Sequence, residues 1–544
     1  MIKNKTVLRT WLAFKYYGIN IVFLSVLTGI FAGVVVTFYT ICTSYGEQYS
    51  RELYSLILQY PAFIPLLFVG LAAGAVVIGT LVRFVPMIRG SGIPQIEGAC
   101  RGKFPFNWYV TMCSMFAASL ACVFMGLAAG SEGPSIEIGG CVGEGMGRIL
   151  RRSFMIRRLQ IASGASAGFA VAFNAPVTGM IFALEEAFKS FSPMIFVSAS
   201  VSVITALGVR TGIRLALGQS VGFAMEGFVF AQNMDVAGYG YVALAALIVA
   251  LAAVAFYYAV QGAKKMFSKI TFLKGAGKFI IPFVLSGAFG LITVYAMGGG
   301  HNFIHSLATG GTGRIEGISV LGAGIIASLA IIVALRFILM ALYMGCGVPC
   351  GVFIPMLAVG AGLGALLSSL FVQAGMDAAY TDYIVIICMS VFFTSFVRAP
   401  ITGLFMVFEL TGQFANLLPA LLGVVIASLV AEVCRTEPGY EKNLHGFIRD
   451  EGFADREKPV RVTVTVRPRS LADGGRIKSI IWPSGGLVVA IRLPDGTQVI
   501  PSGNTKLDAG QQLDFECRAD DPDEVLDYLY GIVGRPPKGE DGGR

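Results

Sequence analysis

The residue with the most chemistry to offer is Glu132, set in Gly130-Ser131-Glu132-Gly133-Pro134 behind an apolar segment running from about Val110 to Ala129. A carboxylate inside a membrane is costly unless it faces a partner or a water-filled path, so it reads as functional. Gly130 and Gly133 allow close backbone approach, and Pro134 favours the first position of a new helix, where its missing N–H is no loss. A helix that begins within the bilayer presents bare N–H groups and the positive end of its dipole, which together suit an anion.

The same grammar occurs twice more. Gly90-Ser91-Gly92-Ile93-Pro94 offers a hydroxyl ahead of a proline, and Gly351-Val352-Phe353-Ile354-Pro355 offers backbone N–H groups in a glycine–proline frame. With 68 Gly and 22 Pro in 544 residues, about three such spacings are expected by chance. Their weight lies in the polar contents and the apolar surroundings. An anion crossing a bilayer needs its hydration replaced by partial charges, since a full lysine charge holds it too tightly. A second acidic feature, Glu185-Glu186, closes the segment Asn174–Glu186. Such a pair is commonly no more than a solvated helix end.

Hydrophobic residues make up 55% of the chain and charged residues 14%, with a mean hydropathy of +0.72. Those values exclude an ordinary soluble domain and describe a polytopic membrane protein. About ten apolar blocks are expected, near 20–42, 62–86, 110–130, 160–188, 194–208, 240–260, 278–297, 319–345, 383–408 and 416–434, some holding two short helices. Lys3, Lys5, Arg9 and Lys15 favour a cytoplasmic N-terminus, and the first block is too long for a cleaved signal. The net charge of +8 suits an anionic lipid surface and gives no reason to expect nucleic acid. The ten cysteines are scattered and read as free thiols. His301 and His305, four apart, have no third ligand in view, so no metal site is expected.

A duplication organises the membrane part. Ala175-Pro176-Val177-Thr178-Gly179 with Glu185 recurs as Ala399-Pro400-Ile401-Thr402-Gly403 with Glu409, an offset of 224; Gly130/Pro134/Gly139 recurs as Gly351/Pro355/Gly360, an offset of 221. Two repeats, about 20–230 and 240–440, follow, and transporters built this way place their site where the repeats meet. After about Arg449 the chain turns polar. Strands are expected over Val460–Val466, Leu487–Leu493 and Gln511–Arg518, a helix over Pro522–Leu529, and a disordered tail over 534–544.

The stretches GSGIPQIEG, GSEGP and GVFIP, with NAPVTGMIFALEE and RAPITGLFMVFELTG, resemble the signature motifs of the CLC family of chloride channels and chloride/proton antiporters over roughly residues 20–445. The resemblance implies an all-α polytopic fold of two inverted repeats with broken, re-entrant helices, here a transmembrane domain over 1–449. It implies chloride contacts at Ser91, Gly92, Ile93, Gly133, Val352, Phe353, Ile354 and Tyr440. It implies that Glu132 is the external gate and proton carrier, and that Glu186 is the internal proton-transfer group. Serine at position 91, where nitrate-preferring relatives carry proline, points to chloride. The stretch LVVAIRLPDGTQVIPSGNTKLDAGQQLDFECR resembles an RCK (TrkA-type) C-terminal domain, a small soluble β-rich module over 450–533. That resemblance implies ligand sensing, with cyclic di-AMP or another nucleotide as candidate ligand. A homodimer among membrane lipids is implied, in a bacterial plasma membrane with the C-terminal domain cytoplasmic.

Three residues depart from the family pattern. Ser131 stands where Arg or Lys is usual before the gating glutamate, Met115 where a lysine is frequent, and Cys350 where glycine is usual. The first two remove positive charges that would hold Glu132 ionised and draw anions inward. The leading expectation is a chloride/proton antiporter, neither enzyme nor cofactor-dependent. The alternative on the same fold is a passive voltage- or ligand-gated chloride channel, disfavoured by Glu186. A cation transporter lacks a TVGYG filter. A serine protease at Ser163–Gly168 lacks an intramembrane histidine base.

Overall fold

The structure is a computed structural model describing residues 2–536 apart from 190, 220–226, 230–233, 271–274, 311, 313, 316, 413–416, 454–457, 481, 484, 520 and 521. In the first half α1 (Ile2–Gln59) and α2 (Ile64–Phe84) precede the short α3 (Ile93–Cys100), α4 (Trp108–Phe124), α5 (Glu132–Ile149), α6 (Phe154–Phe173), α7 (Pro176–Phe182) and α8 (Pro193–Ala216). The second half runs through α9 (Val236–Lys269), α10 (Ile280–Ile292), α11 (His301–Ser306), α12 (Ile325–Cys346), α13 (Phe353–Gln373), α14 (Thr381–Val397), α15 (Pro400–Thr411), α16 (Leu417–Val433) and α17 (Gly439–Asp450). Among the described residues, eight helices are long and apolar enough to cross a membrane.

Two expected blocks do divide. Asn174 (φ 56°) and Arg398 (φ 69°) end α6 and α14 in the left-handed conformation. Ala175 and Ala399 then leave the helical region, as a residue before proline commonly does, and Pro176 and Pro400 restart α7 and α15. Arginine side chains secure both corners. Arg210 donates to Asn174 Oδ1 at 2.7 Å, and the Arg398 guanidinium donates to the Thr436 carbonyl at 2.9 Å.

Other expectations are corrected. Helix α13 is apolar enough to span yet fell outside the ten blocks. Pro134 is the third residue of α5 rather than the first, and Pro355 the third of α13. A proline still fits there, since the first turn's N–H groups have no partner within the helix.

Helices α5 and α6 cross at backbone contact. A methyl on Gly139 would sit 2.2 Å from the Gly164 carbonyl oxygen, and one on Gly143 1.9 Å from that of Gln160. Their counterparts α13 and α14 cross less tightly, with 2.6 Å from Gly360 to the Cys388 carbonyl oxygen.

The C-terminal segment folds as an antiparallel sheet in the order β1-β4-β2-β3, from β1 (Lys458–Thr465), β2 (Leu487–Arg492), β3 (Gln498–Val499) and β4 (Gln512–Ala519), with α18 (Pro522–Val533) against it. Val464, Leu513, Phe515, Leu529 and Ile532 fill its core, which takes in Met155 of α6. The Tyr528 ring lies 5.9 Å from Phe154 and under the Arg158 guanidinium at 4.9 Å, and the Phe154 N–H donates to Asp527 at 3.4 Å. The start of α6, with its basic residues, is therefore the seat of this module. Thr463 donates to Asp514, holding that carboxyl below its usual range, with Arg492 adding to the effect.

Candidate functional site: a buried carboxylate where three broken helices meet

The three glycine–proline motifs converge through their backbones. Gly130 and Gly351 exchange N–H···O bonds at 2.8 Å in each direction, an antiparallel bridge between the two halves. Gly90 accepts from the Cys350 N–H at 3.2 Å. A methyl on Gly133 would sit 2.5 Å from the Ser91 carbonyl oxygen and 3.2 Å from Gly351 Cα, so that glycine is demanded by the close approach. Glu132, Ser91 and Phe353 are thereby brought to one place from three elements far apart in the chain.

Glu132 is the first residue of α5 and 1% exposed. Its carboxylate folds back over Gly130, where any β-carbon would lie 2.1 Å from Oε2. Ser131 Oγ donates to Oε1 at 3.3 Å, and His301 Nε2 lies 3.3 Å from the same oxygen; Oε2 has no hydrogen-bond partner among the described residues. Phe353 packs its ring 4.4 Å from Phe393, 4.9 Å from Phe173 and 5.4 Å from Phe169. Such a wall excludes water while leaving the first N–H groups of α13 unpaired.

Ser91 is buried and has no hydrogen-bond partner among the described residues, and the residue capping α3 is Gly92, not Ser91. The helix-cap role that a serine commonly takes is thus not its use here. Tyr440, at the start of α17, is buried with its hydroxyl unpartnered and its ring edge-on to Phe396. An unsatisfied buried hydroxyl such as that of Tyr440 is costly in a native fold. A cavity of about 730 Å³ reaches Ser91 and Val352. Its walls carry Arg89, Lys264, Lys265, Lys278, Lys442 and Arg449, with Asp450 among them. Tyr440 and Glu186 lie outside its lining.

Glu186 is 3% exposed and sits in a π-helical turn, Ala183–Ala187, that continues α7. Such turns displace side chains from the regular helical track and are frequent at functional sites. Its neighbour Glu185 points elsewhere. Glu185 accepts from the Ile401 and Thr402 N–H groups at 3.0 and 2.7 Å and from Thr402 Oγ1 at 2.6 Å. Glu409 does the same for Val177 and Thr178, at 2.7, 2.7 and 2.6 Å. The repeat therefore exchanges helix caps between its halves. The solvated acidic pair common at helix ends is not found: one carboxylate is a cap and the other is buried.

The fold and this meeting of motifs match known proteins. The family model described as voltage gated chloride channel matches residues 73–432. The chain belongs to that voltage gated chloride channel family. Within this family the chain is 28% identical over 464 residues to the H(+)/Cl(-) exchange transporter ClcA of Vibrio cholerae, covering 84% of this chain and 95% of the relative. It is 27% identical over 447 residues to ClcA of Cronobacter sakazakii, covering 80% and 92%. Among solved structures, a slow cyanobacterial Cl-/H+ antiporter aligns with a TM-score of 0.70 at 23% identity over 79% of this chain and 99% of that one. A CLC-type fluoride/proton antiporter aligns with a TM-score of 0.63 at 18% identity over 77% and 96%. At these identities the structural likeness is one of fold. The protein is a multi-pass membrane transport protein of this family and not an enzyme.

Sequence reasoning about this voltage gated chloride channel family member missed several groups. His301 was weighed only as a metal ligand, and among the described residues no cluster of three metal-ligating side chains exists. The signal was its glycine frame, Gly298-Gly299-Gly300, which lets the chain bring a ring to Glu132. Glu97, inside the first motif, is buried and pairs with Arg101 and, at 3.1 Å, with Lys189, which also binds Glu441 at 2.7 Å. Lys189 of this cluster stands three residues beyond Glu186 in the chain. Glu137, on α5 one turn beyond Glu132, is fully buried with neither oxygen hydrogen-bonded among the described residues, and it packs on Gly92.

Proposed function

We propose that this protein is a secondary active transporter exchanging chloride for protons. Glu132 is the observation that carries the reading. A buried carboxylate folded over the backbone meeting point of three helix starts, with one oxygen unpartnered, is placed to compete with an anion for those N–H groups. Ionised, it blocks the anion's position; protonated, it is released and lets chloride in, so one group links both fluxes. Chloride is held by the Ser91 hydroxyl with Gly92 and Ile93, by Gly133, by the N–H groups of Val352, Phe353 and Ile354, and by the Tyr440 hydroxyl. The cationic cavity below Ser91 concentrates anions at that entrance. Glu186 receives protons from the opposite side to Glu132, beside the Glu97–Lys189–Glu441 cluster.

The two halves act as inverted repeats, a reading supported by the exchanged caps of Glu185 and Glu409. The transmembrane domain spans 1–449, and residues 450–533 form a cytoplasmic RCK-like regulatory module for cyclic di-AMP or another nucleotide. The protein works as a homodimer in a bacterial plasma membrane.

Liposomes holding the purified protein under a chloride gradient, with voltage clamped by valinomycin and potassium, test the reading. Uphill proton movement is expected in the native protein and should vanish in both Glu132→Gln and Glu186→Gln. Chloride flux without any proton signal in the native protein would instead make it a passive channel.

A further inference from the structure

We propose that His301 is the group through which Glu132 exchanges protons with the water on the face remote from the C-terminal module. The inference deepens the antiporter reading and rests on it. Glu132 needs a route for its proton, and at 1% exposure it has almost no contact with solvent of its own. His301 Nε2 lies 3.3 Å from Glu132 Oε1, and its side chain is 34% exposed. One ring therefore touches the reacting carboxylate and reaches water.

The face is fixed by α1. Its Ile21 end packs with Leu159 and Ile195, near the start of α6 where the module sits, whereas its Tyr54 end donates to the Met125 carbonyl beside the Glu132 loop. Glu47, close to that far end, accepts from the Gly299 N–H at 3.0 Å. Arg336 of α12, fully buried, donates to the Tyr295 and Met297 carbonyls at 2.6 and 2.8 Å and reaches those of Gly298 and Gly299 at 3.5 and 3.4 Å. Two elements thus pin the loop that ends in His301. The charged groups around the ring are Glu132 on α5, Glu47 on α1 and Arg336 on α12, with Ser131 adding a hydroxyl. No lysine or arginine stands at positions 131 or 115, so among the described residues the imidazole is the titratable donor in contact with Glu132.

The step balances in protons alone. Water-borne acid protonates Nδ1, giving imidazolium. The Nε2 proton passes to Oε1, leaving neutral imidazole and a neutral carboxylic acid. Once neutral Glu132 has swung away, the ring resets through imidazolium: Nε2 takes a proton from water and Nδ1 then returns its own to water. Run backwards, the same steps unload Glu132. Histidine suits the task because its ring takes up and gives back one proton near neutral pH and carries a nitrogen on each side.

The test compares native protein, His301→Gln and His301→Ala in liposomes while the pH on the His301 face is varied. Positioned proton transfer commonly contributes about 100-fold or more. Coupled turnover in His301→Gln is therefore expected to fall at least about tenfold near neutral pH and to converge on the native rate in acid, where hydronium reaches Glu132 unaided. Imidazole added to that face should restore His301→Ala. A native-like pH profile in His301→Gln would overturn the relay. So would a fall of equal size at every pH with no imidazole rescue, the mark of a packing role. Native protein without coupled proton flux would defeat the antiporter reading itself, and that is seen before any variant is made.

Discussion

The two halves of the membrane domain agree at the corners, caps and crossings that hold the chain and differ in the residues at the candidate site. Left-handed corners recur at Asn174 and Arg398, exchanged caps at Glu185 and Glu409, threonines at 178 and 402, and glycine crossings at 139 and 360. At the same offsets, Glu132 corresponds to Phe353, Glu186 to Leu410 and Glu137 to Ala358. Phe353, Leu410 and Ala358 are all fully buried apolar residues. At these three positions the second half supplies apolar walls and the first half buried carboxylates.

If the caps belong to the scaffold, removing either should damage folding more than transport chemistry. Glu409→Ala strands three donors at a buried helix start and is expected to cost roughly 3–5 kcal/mol. Glu185→Ala should cost less, about 1–3 kcal/mol, because its half-buried setting lets water replace the carboxylate. Thermal unfolding in detergent reads both. A proton-specific defect with unchanged stability in either variant would move that residue from the scaffold into the mechanism.

The glycine crossings sharpen the same contrast. A methyl at 143 would lie 1.9 Å from a carbonyl oxygen, whereas one at 364 would lie 2.8 Å from Val385 Cα. Gly143→Ala should therefore destabilise by about 2–3 kcal/mol and Gly364→Ala by closer to 1 kcal/mol. Equal losses would mean that the looser second crossing is not a real difference between the halves.

The smallest effect is expected at Glu137. Neither Glu137 oxygen has a hydrogen-bond partner among the described residues, so Glu137→Gln, nearly the same in shape, should change stability by less than about 1 kcal/mol and leave proton coupling in place. Loss of coupling in that variant would add a third carboxylate to the path and deepen the asymmetry.

Much of this was legible from the residues. The breaks before Pro94, Pro176, Pro355 and Pro400 follow from proline's own geometry, and the repeat was visible because Ala-Pro corners and distant glutamates recur together. Glu132 declared itself by standing charged in an apolar run. His301 did not, since 169 residues separate it from Glu132 and its glycine frame marks a close approach without saying to what. Helix α13 is at least as apolar as α8 and α14, so its composition does not hide it. In the module the strands lie within two residues of their expected bounds, but its seat on Phe154 and Arg158 is a long-range packing choice that no local pattern carries.

The exchanged caps also bear on how the protein is made. Val177 and Thr178 are synthesised 232 and 231 residues before the carboxylate that caps them. Throughout that interval the ribosome delivers a half-finished membrane domain whose α7 begins with bare amides. The first half thus cannot complete this cap from its own residues, and the amides at the start of α7 stay open until the stretch carrying Glu409 has been made.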